Sequence, residues 1–466
     1  MSLKRLALSF AAMLLMQTEA AAEVLPADVA ASAQRHYPEV IATLAERDAA
    51  AGGRLSAAGA FDTVFKTEAT TWLEGFYSGD TLSTGVEKQL GPLGAKVYGG
   101  YRVSDGDFPI YEDINFTNRL GEAKIGVLFS LLRDRTIDKR RLDVRQADLS
   151  LLEADLDVFL TRIGVQRRAL VAYWRWVAAG RELQAYQDIL RIAEERDRAL
   201  RLEVSAGARA QIVLTENAQN LTRRREFVRG AERDLALAAN ALGLFLRDDD
   251  GTMIVPTADD LPGTVAINPL LNTVEPEAIA GQRPEFRLLQ VAEERIENRR
   301  ELARNDLRPR FDITVEASDD FGAIGAGGVS RDPGELKAGA TFTVPLGRRN
   351  ARGRIQEAEA ELRALRQRQR LLRDQIVREL NDISTNLDTA KDLLSLTRQE
   401  VGLADTMRRA EAERFRGGAS DFFLVNLREE TFADARVKLA RAEFALAAAN
   451  ITYRAAIMDT DALGLQ

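Results

Sequence analysis

The stretch ERFRGGASDFFLVNLREETFADARVKLARAEFALAAANITY, Glu413 to Tyr453, decides the architecture. Charged, Leu/Ala-rich helical sequence runs into Gly417-Gly418 and resumes at once. Glycine just past a helix end can take the left-handed conformation that closes it, and Ser420 or Asp421 stands where it can cap the next helix. The pattern predicts a tight αα-hairpin that turns a long helix through roughly 180°. Upstream, LEVSAGARAQIVLTENAQNLTRRR, Leu202 to Arg225, repeats the arrangement around the single Gly207.

The arms of the second hairpin are long. No proline occurs from Gly353 to about Arg416, and apolar residues recur at heptad spacing. Ile355, Leu362, Ile376 and Ile383 form one register, interrupted at Gln369. Ala358, Leu365 and Leu372 form the other, which resumes after a one-residue shift at Leu380, Leu387, Leu394 and Val401. This is a coiled-coil-like seam with one irregularity. About 64 residues of helix span on the order of 95 Å, too long to fold back into a compact globule, so the helix must pack against others like it.

Between the hairpins the hydrophobic period falls to two. FDITVEAS sets Phe311, Ile313, Val315 and Ala317 against Asp312, Thr314, Glu316 and Ser318. ELKAGATFTVPL sets Leu336, Ala338, Ala340, Phe342 and Val344 against Lys337, Gly339, Thr341 and Thr343. The two read as a β-hairpin whose strands are long enough to cross a membrane when tilted. A half-buried soluble hairpin would alternate in the same way.

The first half follows the same plan. Ala30 to Ala60 reads as helix, the counterpart of Pro284 to Arg308. Strand-like segments follow near Phe65–Phe76, Ala95–Val103 and Ala123–Leu131, then a long helix from about Arg133 to Ser205. It turns at Gly207 and returns to about Phe245. Ser78–Gly121 exceeds its counterpart in the second half and reads either as extra strand or as outer loop. The chain thus divides into 1–22, a first repeat 23–245, a linker 246–283, a second repeat 284–458 and a tail 459–466.

Composition narrows the class. The 466 residues are 45% hydrophobic and 29% charged with net charge −7, a balance that gives nucleic-acid binding no support. MSLKR, the apolar-rich Leu6–Met16 and the small Ala20-Ala21-Ala22 read as a secretory signal peptide over 1–22. There is no cysteine and one histidine, His36, so thiolate chemistry is absent and a His-based triad or metal site is not expected. Gly322–Gly328 lacks the Lys-Ser/Thr of a phosphate loop, and Asp248–Gly251 lacks the spaced ligands of a calcium loop. No catalytic, cofactor or metal residue is assigned. Trp72, Phe76, Tyr77, Tyr98 and Tyr101 are candidates for an aromatic belt at a lipid–water boundary.

Three segments carry a family resemblance. RPEFRLLQVAEERIENRRELARNDLRPRFDI, TVPLGRRNARGRIQEAEAEL and the Glu413–Tyr453 hairpin resemble, in order, the corresponding parts of the TolC-like outer membrane factors, the outer-membrane efflux channels. The resemblance implies a mixed α/β membrane protein built as an internal tandem repeat. Long antiparallel α-hairpins would form a periplasmic α-barrel, and the strands of a homotrimer would form one transmembrane β-barrel in outer-membrane lipid. The function implied is the passive exit duct of a tripartite efflux or type I secretion system, with a periplasmic adaptor (membrane fusion) protein and an inner-membrane pump as partners.

Site residues follow from this. Gly207, Ala208 and Arg209, with Gly417, Gly418, Ala419 and Ser420, become adaptor-docking tips. Asp312, Thr314, Glu316, Lys337, Thr341 and Thr343 become pore-facing. Near the family's acidic position, about six residues after the tip glycine, this chain has Leu424. The nearest carboxylates, Glu216, Asp421 and Glu429, are the candidate tip carboxylates, although none sits on the motif. Two competing readings are an exported coiled-coil scaffold without channel activity and a periplasmic adaptor. Duplicated membrane-length hairpins argue against the first, and two long helical hairpins, where adaptors normally carry one, against the second.

Overall fold

A computed structural model describes residues 23–91, 94–108, 115–263, 266–267, 274–324 and 334–465. The expected signal peptide and most of the Gly322–Gly328 loop lie outside them. In chain order the elements are α1 (Pro26–His36), α2 (Pro38–Ala58), β1 (Thr63–Trp72), β2 (Gly79–Gln89), β3 (Lys96–Gly106) and β4 (Glu122–Ser130). Then come α3 (Lys139–Ser205), α4 (Ile212–Gly243), α5 (Pro276–Ala280), α6 (Pro284–Asn305), β5 (Arg310–Asp320), β6 (Glu335–Thr343), α7 (Arg349–Arg416) and α8 (Phe422–Ala456). The chain forms two units, 1–44 with 158–283 and 373–466, and 45–157 with 284–372.

The second of these units holds one six-stranded antiparallel sheet in the order β1-β2-β3-β4-β5-β6. Its strands are 9 to 11 residues long, the length a tilted strand needs to cross a bilayer. Ser78–Gly121, open between strand and loop in the sequence, supplies β2 and the whole of β3. The strand predicted at Phe65–Phe76 ends at Trp72, where the chain enters the turn that starts β2. In the same unit α6 lays Leu289, Ala292 and Ile296 on Ala358, Leu362 and Leu365 of α7, which are the heptad positions expected.

The other unit is helical. Val29, Ala30 and Ala33 of α1 pack with Tyr173, Trp174 and Trp176 of α3, with Leu235 and Leu242 of α4, and with Ala447 and Ile451 of α8. Leu387, Ala390 and Leu394 of α7 meet Leu446 and Tyr453 of α8, continuing the seam past its one-residue shift. The single helix expected over Ala30–Ala60 is in fact two. Pro38 has no N–H to donate and forces Tyr37 out of helical geometry, to φ −75° and ψ 123°. The first long arm begins at Lys139 rather than near Arg133, because Asp138 accepts from the Arg141 N–H at 2.9 Å and so caps it. The 246–283 linker, expected as a surface crossing, contributes Leu246 and Leu261 to the apolar core.

Candidate functional site

Two regions hold the residues that the sequence marks out. One is the face of the sheet carrying Asp312. Cross-strand partners share a face, so the register assigns every side chain. Asp312 pairs with Thr341 and Ser130, Thr314 with Gly339 and Leu128, Glu316 with Lys337 and Gly126, and Arg310 with Thr343. All six residues expected to face a pore therefore lie on one face. Glu122, Lys124, Arg102, Tyr98, Glu87 and Lys66 fall on it too. The opposite face carries Phe65, Val86, Val97, Ile125, Val127, Ile313, Val315, Ala340 and Phe342. Of these, Phe65, Ile125 and Phe342 are more than 60% exposed in the chain alone, an apolar surface that water would not favour.

The polar face is internally matched. Arg102 Nη2 lies 2.7 Å from Glu122, Lys96 Nζ 3.0 Å from Glu87, Lys337 Nζ 2.9 Å from Glu335, and Ser130 Oγ donates to Asp312 at 2.7 Å. Tyr98 reaches across β4 to donate to Glu316 on β5 at 2.7 Å. It can do so because the residue it crosses is Gly126. A Cβ there would sit 2.4 Å from the tyrosine ring. Gly126→Ala is therefore expected to displace Tyr98 and to cost about 1–3 kcal/mol, whereas Tyr98→Phe should cost only about 0.5–1.5 kcal/mol. The temperature at which assembled protein dissociates on a gel measures both. A Gly126→Ala protein as stable as the parent would show that the crossing carries no weight.

The aromatic residues divide. Trp72 packs on Phe108 at 5.0 Å and Phe76 on Tyr77 at 5.2 Å, a cluster around the β1–β2 turn. Tyr98, expected in the same belt, stands instead on the polar face.

The second region is the pair of hairpin tips. Both turns have the same geometry. Gly207 has φ +74°, the Ala208 N–H reaches Glu203 O at 2.9 Å and the Gly207 N–H reaches Val204 O at 3.0 Å. Gly418 has φ +73°, with Ala419 N–H to Arg414 O at 2.8 Å and Gly418 N–H to Phe415 O at 3.1 Å. These paired bonds are the Schellman closure, and they make Gly418, not Gly417, the counterpart of Gly207. Asp421 caps α8 by accepting from Leu424 N–H at 2.8 Å, while Ser420 bonds back to Glu411. Arg209 pairs with Glu203 and lies 4.7 Å from the Phe415 ring, tying one tip to the other.

The three candidate tip carboxylates meet different fates. Glu216 is exposed on α4. Asp421 is occupied as a cap. Glu429, expected as a candidate at the tip, is 2% exposed and sits between two arginines. Arg224, fully buried, donates from Nη2 to Glu429 at 2.9 Å and from Nη1 to Ile189 O at 2.8 Å. Arg196 pairs with the other Glu429 oxygen and donates to Asn426 Oδ1 at 2.9 Å. Burial, and then the charge of Arg224, push Arg196 down to about 10, so it stays protonated at neutral pH. This cluster joins α3, α4 and α8. The sequence offers no sign of it, because Arg196 and Arg224 look like any other arginines of an Arg-rich helix.

Elsewhere, Asp248 accepts from the Asp250 and Thr252 N–H groups, an ordinary Asx turn. Among the described residues no group of three or more His, Cys, Asp or Glu side chains could hold a metal, and no helix is long and apolar enough to cross a membrane.

Comparison with known proteins agrees with this geometry. No curated protein matches the chain in sequence. Residues 276–457 match the outer membrane efflux protein family. Among solved structures, the outer-membrane channel OprN superposes with TM-score 0.65 at 15% identity, over 92% of this chain and 88% of that one. The MtrE outer membrane channel of Neisseria gonorrhoeae gives 0.64 at 12% over 95% and 89%. The CmeC outer membrane channel of Campylobacter jejuni gives 0.63 at 13% over 92% and 84%. Residues 276–457 thus match the outer membrane efflux protein family, and the chain shares its fold across nearly its whole length with outer-membrane channels.

Proposed function

We propose that three copies of this chain assemble into one passive duct, with a β-barrel in the outer membrane and a helical tunnel in the periplasm. The observation that carries the reading is the sheet. Membrane-length strands with one apolar and one charged face suit a barrel wall, and the free edges of β1 and β6 cannot stand open in lipid. Closure against other copies removes both edges. Three six-stranded sheets make an eighteen-stranded ring, a size that leaves an aqueous channel. Asp312, Thr314, Glu316, Lys337, Thr341 and Thr343 then line water.

The helices support the same assembly. Leu393, Leu396, Leu403 and Met407 of α7 are exposed at heptad spacing, apart from the buried Leu387 and Leu394. A second seam of this kind suits a neighbouring copy. The identical turns at Gly207 and Gly418 favour an internal duplication, which with three copies gives six similar tips around one mouth. Energy for transport comes from an inner-membrane pump, reached through a periplasmic adaptor that docks on the tips.

Gly207, Ala208, Gly417, Gly418 and Ala419 present backbone with little side chain, which lets a partner approach closely. Enlarging them tests the docking. Ala208→Trp with Ala419→Trp is expected to leave assembled protein in the outer membrane at normal amounts while abolishing efflux and crosslinking to the adaptor. Transport that persists with both tips enlarged moves the docking surface elsewhere. Recovery of the parent protein as a soluble monomer overturns the duct itself.

A further inference from the structure

We propose that the polar face of the sheet contains an anion subsite centred on Lys124. The proposal rests on the reading that this face lines the channel.

One cross-strand row carries the argument. Lys66 pairs with Gly85, Gly85 with Gly100, and Gly100 with Lys124, so two glycines separate two lysines along the row. Lacking side chains, the glycines leave a depression of about 560 Å³, with Lys66, Lys96, Arg102 and Lys124 as well as Glu68 and Glu87 among its walls. A carboxylate or phosphate group fits a space of this kind: cations at the rim and a floor that does not obstruct it.

The ion pairs pick out one of the four cations. Lys66 is held by Glu68 at 2.7 Å, Lys96 by Glu87 and Arg102 by Glu122. Lys124, exposed, makes no ion pair among the described residues. The carboxylates that the register places around it are engaged elsewhere. Glu122 takes Arg102, Glu316 takes the Tyr98 hydroxyl, Glu335 takes Lys337, and Asp320 takes the Asn118 N–H at 3.0 Å. Among the described residues Lys124 is therefore the cation of this face left without a carboxylate, while Glu316 is held only by a neutral hydroxyl. Repeated in each copy around one lumen, Lys124 raises the concentration of anions immediately beside it.

Reconstituted full-length protein in planar bilayers under a potassium chloride gradient tests this. Added inorganic phosphate should reduce the chloride current of the parent. Lys124→Gln should lower the chloride-to-potassium permeability ratio roughly twofold or more and remove the phosphate effect, and Lys124→Glu should lower it further. Lys124→Arg should retain the parent ratio. The double variant Lys66→Gln/Glu68→Gln removes a matched pair and should leave the ratio unchanged. If the parent conducts and Lys124→Gln has the same ratio, the subsite is overturned while the duct stands. Assembled parent protein that does not conduct overturns the duct reading instead.

Discussion

Glu429→Ala is expected to destabilise the helical unit by about 3–5 kcal/mol, because it strips two buried guanidiniums of the carboxylate they share. Arg224 is fully buried and Arg196 nearly so, and neither can turn to water without opening the packing of α3, α4 and α8. Asn426 would remain as a partner, but a neutral amide oxygen does not offset two charges. Glu429→Gln should fall between, since it keeps an acceptor and loses the charge. Replacing Arg196, Arg224 and Glu429 together with Met, Leu and Leu should restore most of the loss, because no unpaired charge is left behind. Denaturant titration followed by circular dichroism reads the series. A Glu429→Ala protein within about 1 kcal/mol of the parent would mean that water already reaches the cluster.

Ile313→Arg is the second large effect. Ile313 pairs with Phe129 on β4 and Ala340 on β6, near the middle of the apolar face. On the proposed assignment its side chain meets lipid, where an arginine near the bilayer midplane costs about 2–4 kcal/mol in each copy. Assembly in the outer membrane should fail. Thr314→Arg, one residue on and on the other face, should assemble and alter ion selectivity. If the two variants assembled equally well, the facing of the sheet would be reversed or absent.

Period-two alternation makes β4, β5 and β6 legible as sequence, since alternate residues of these strands meet different environments. β2, GDTLSTGVEKQ, is harder to read. Its two glycines and its polar residues on both faces blur the pattern, so only the hydrogen-bond partners on β1 and β3 define it. The glycine turns and the heptad seam are legible because backbone sterics and helix period act locally. The Arg196–Arg224–Glu429 cluster is not, because three helices distant in sequence must be placed before any one of those residues acquires a neighbour. Glu429 shows the limit well. From sequence it is a carboxylate near a tip, and burial turns it into an internal strut.

The order of the sheet also sets a schedule. β4 and β5 are joined by nine registered pairs, yet all of α3, α4 and α6 is synthesised between them. The α-hairpins rely on local contacts and can form as they emerge. The β4–β5 zipper must close the largest loop in the sheet, the slow kind of step. Until Asp320 has been made and delivered, β4 keeps an unsatisfied edge. A nascent chain therefore passes through a stage with the first four strands formed and their last edge open, the stage at which a holding chaperone would matter most.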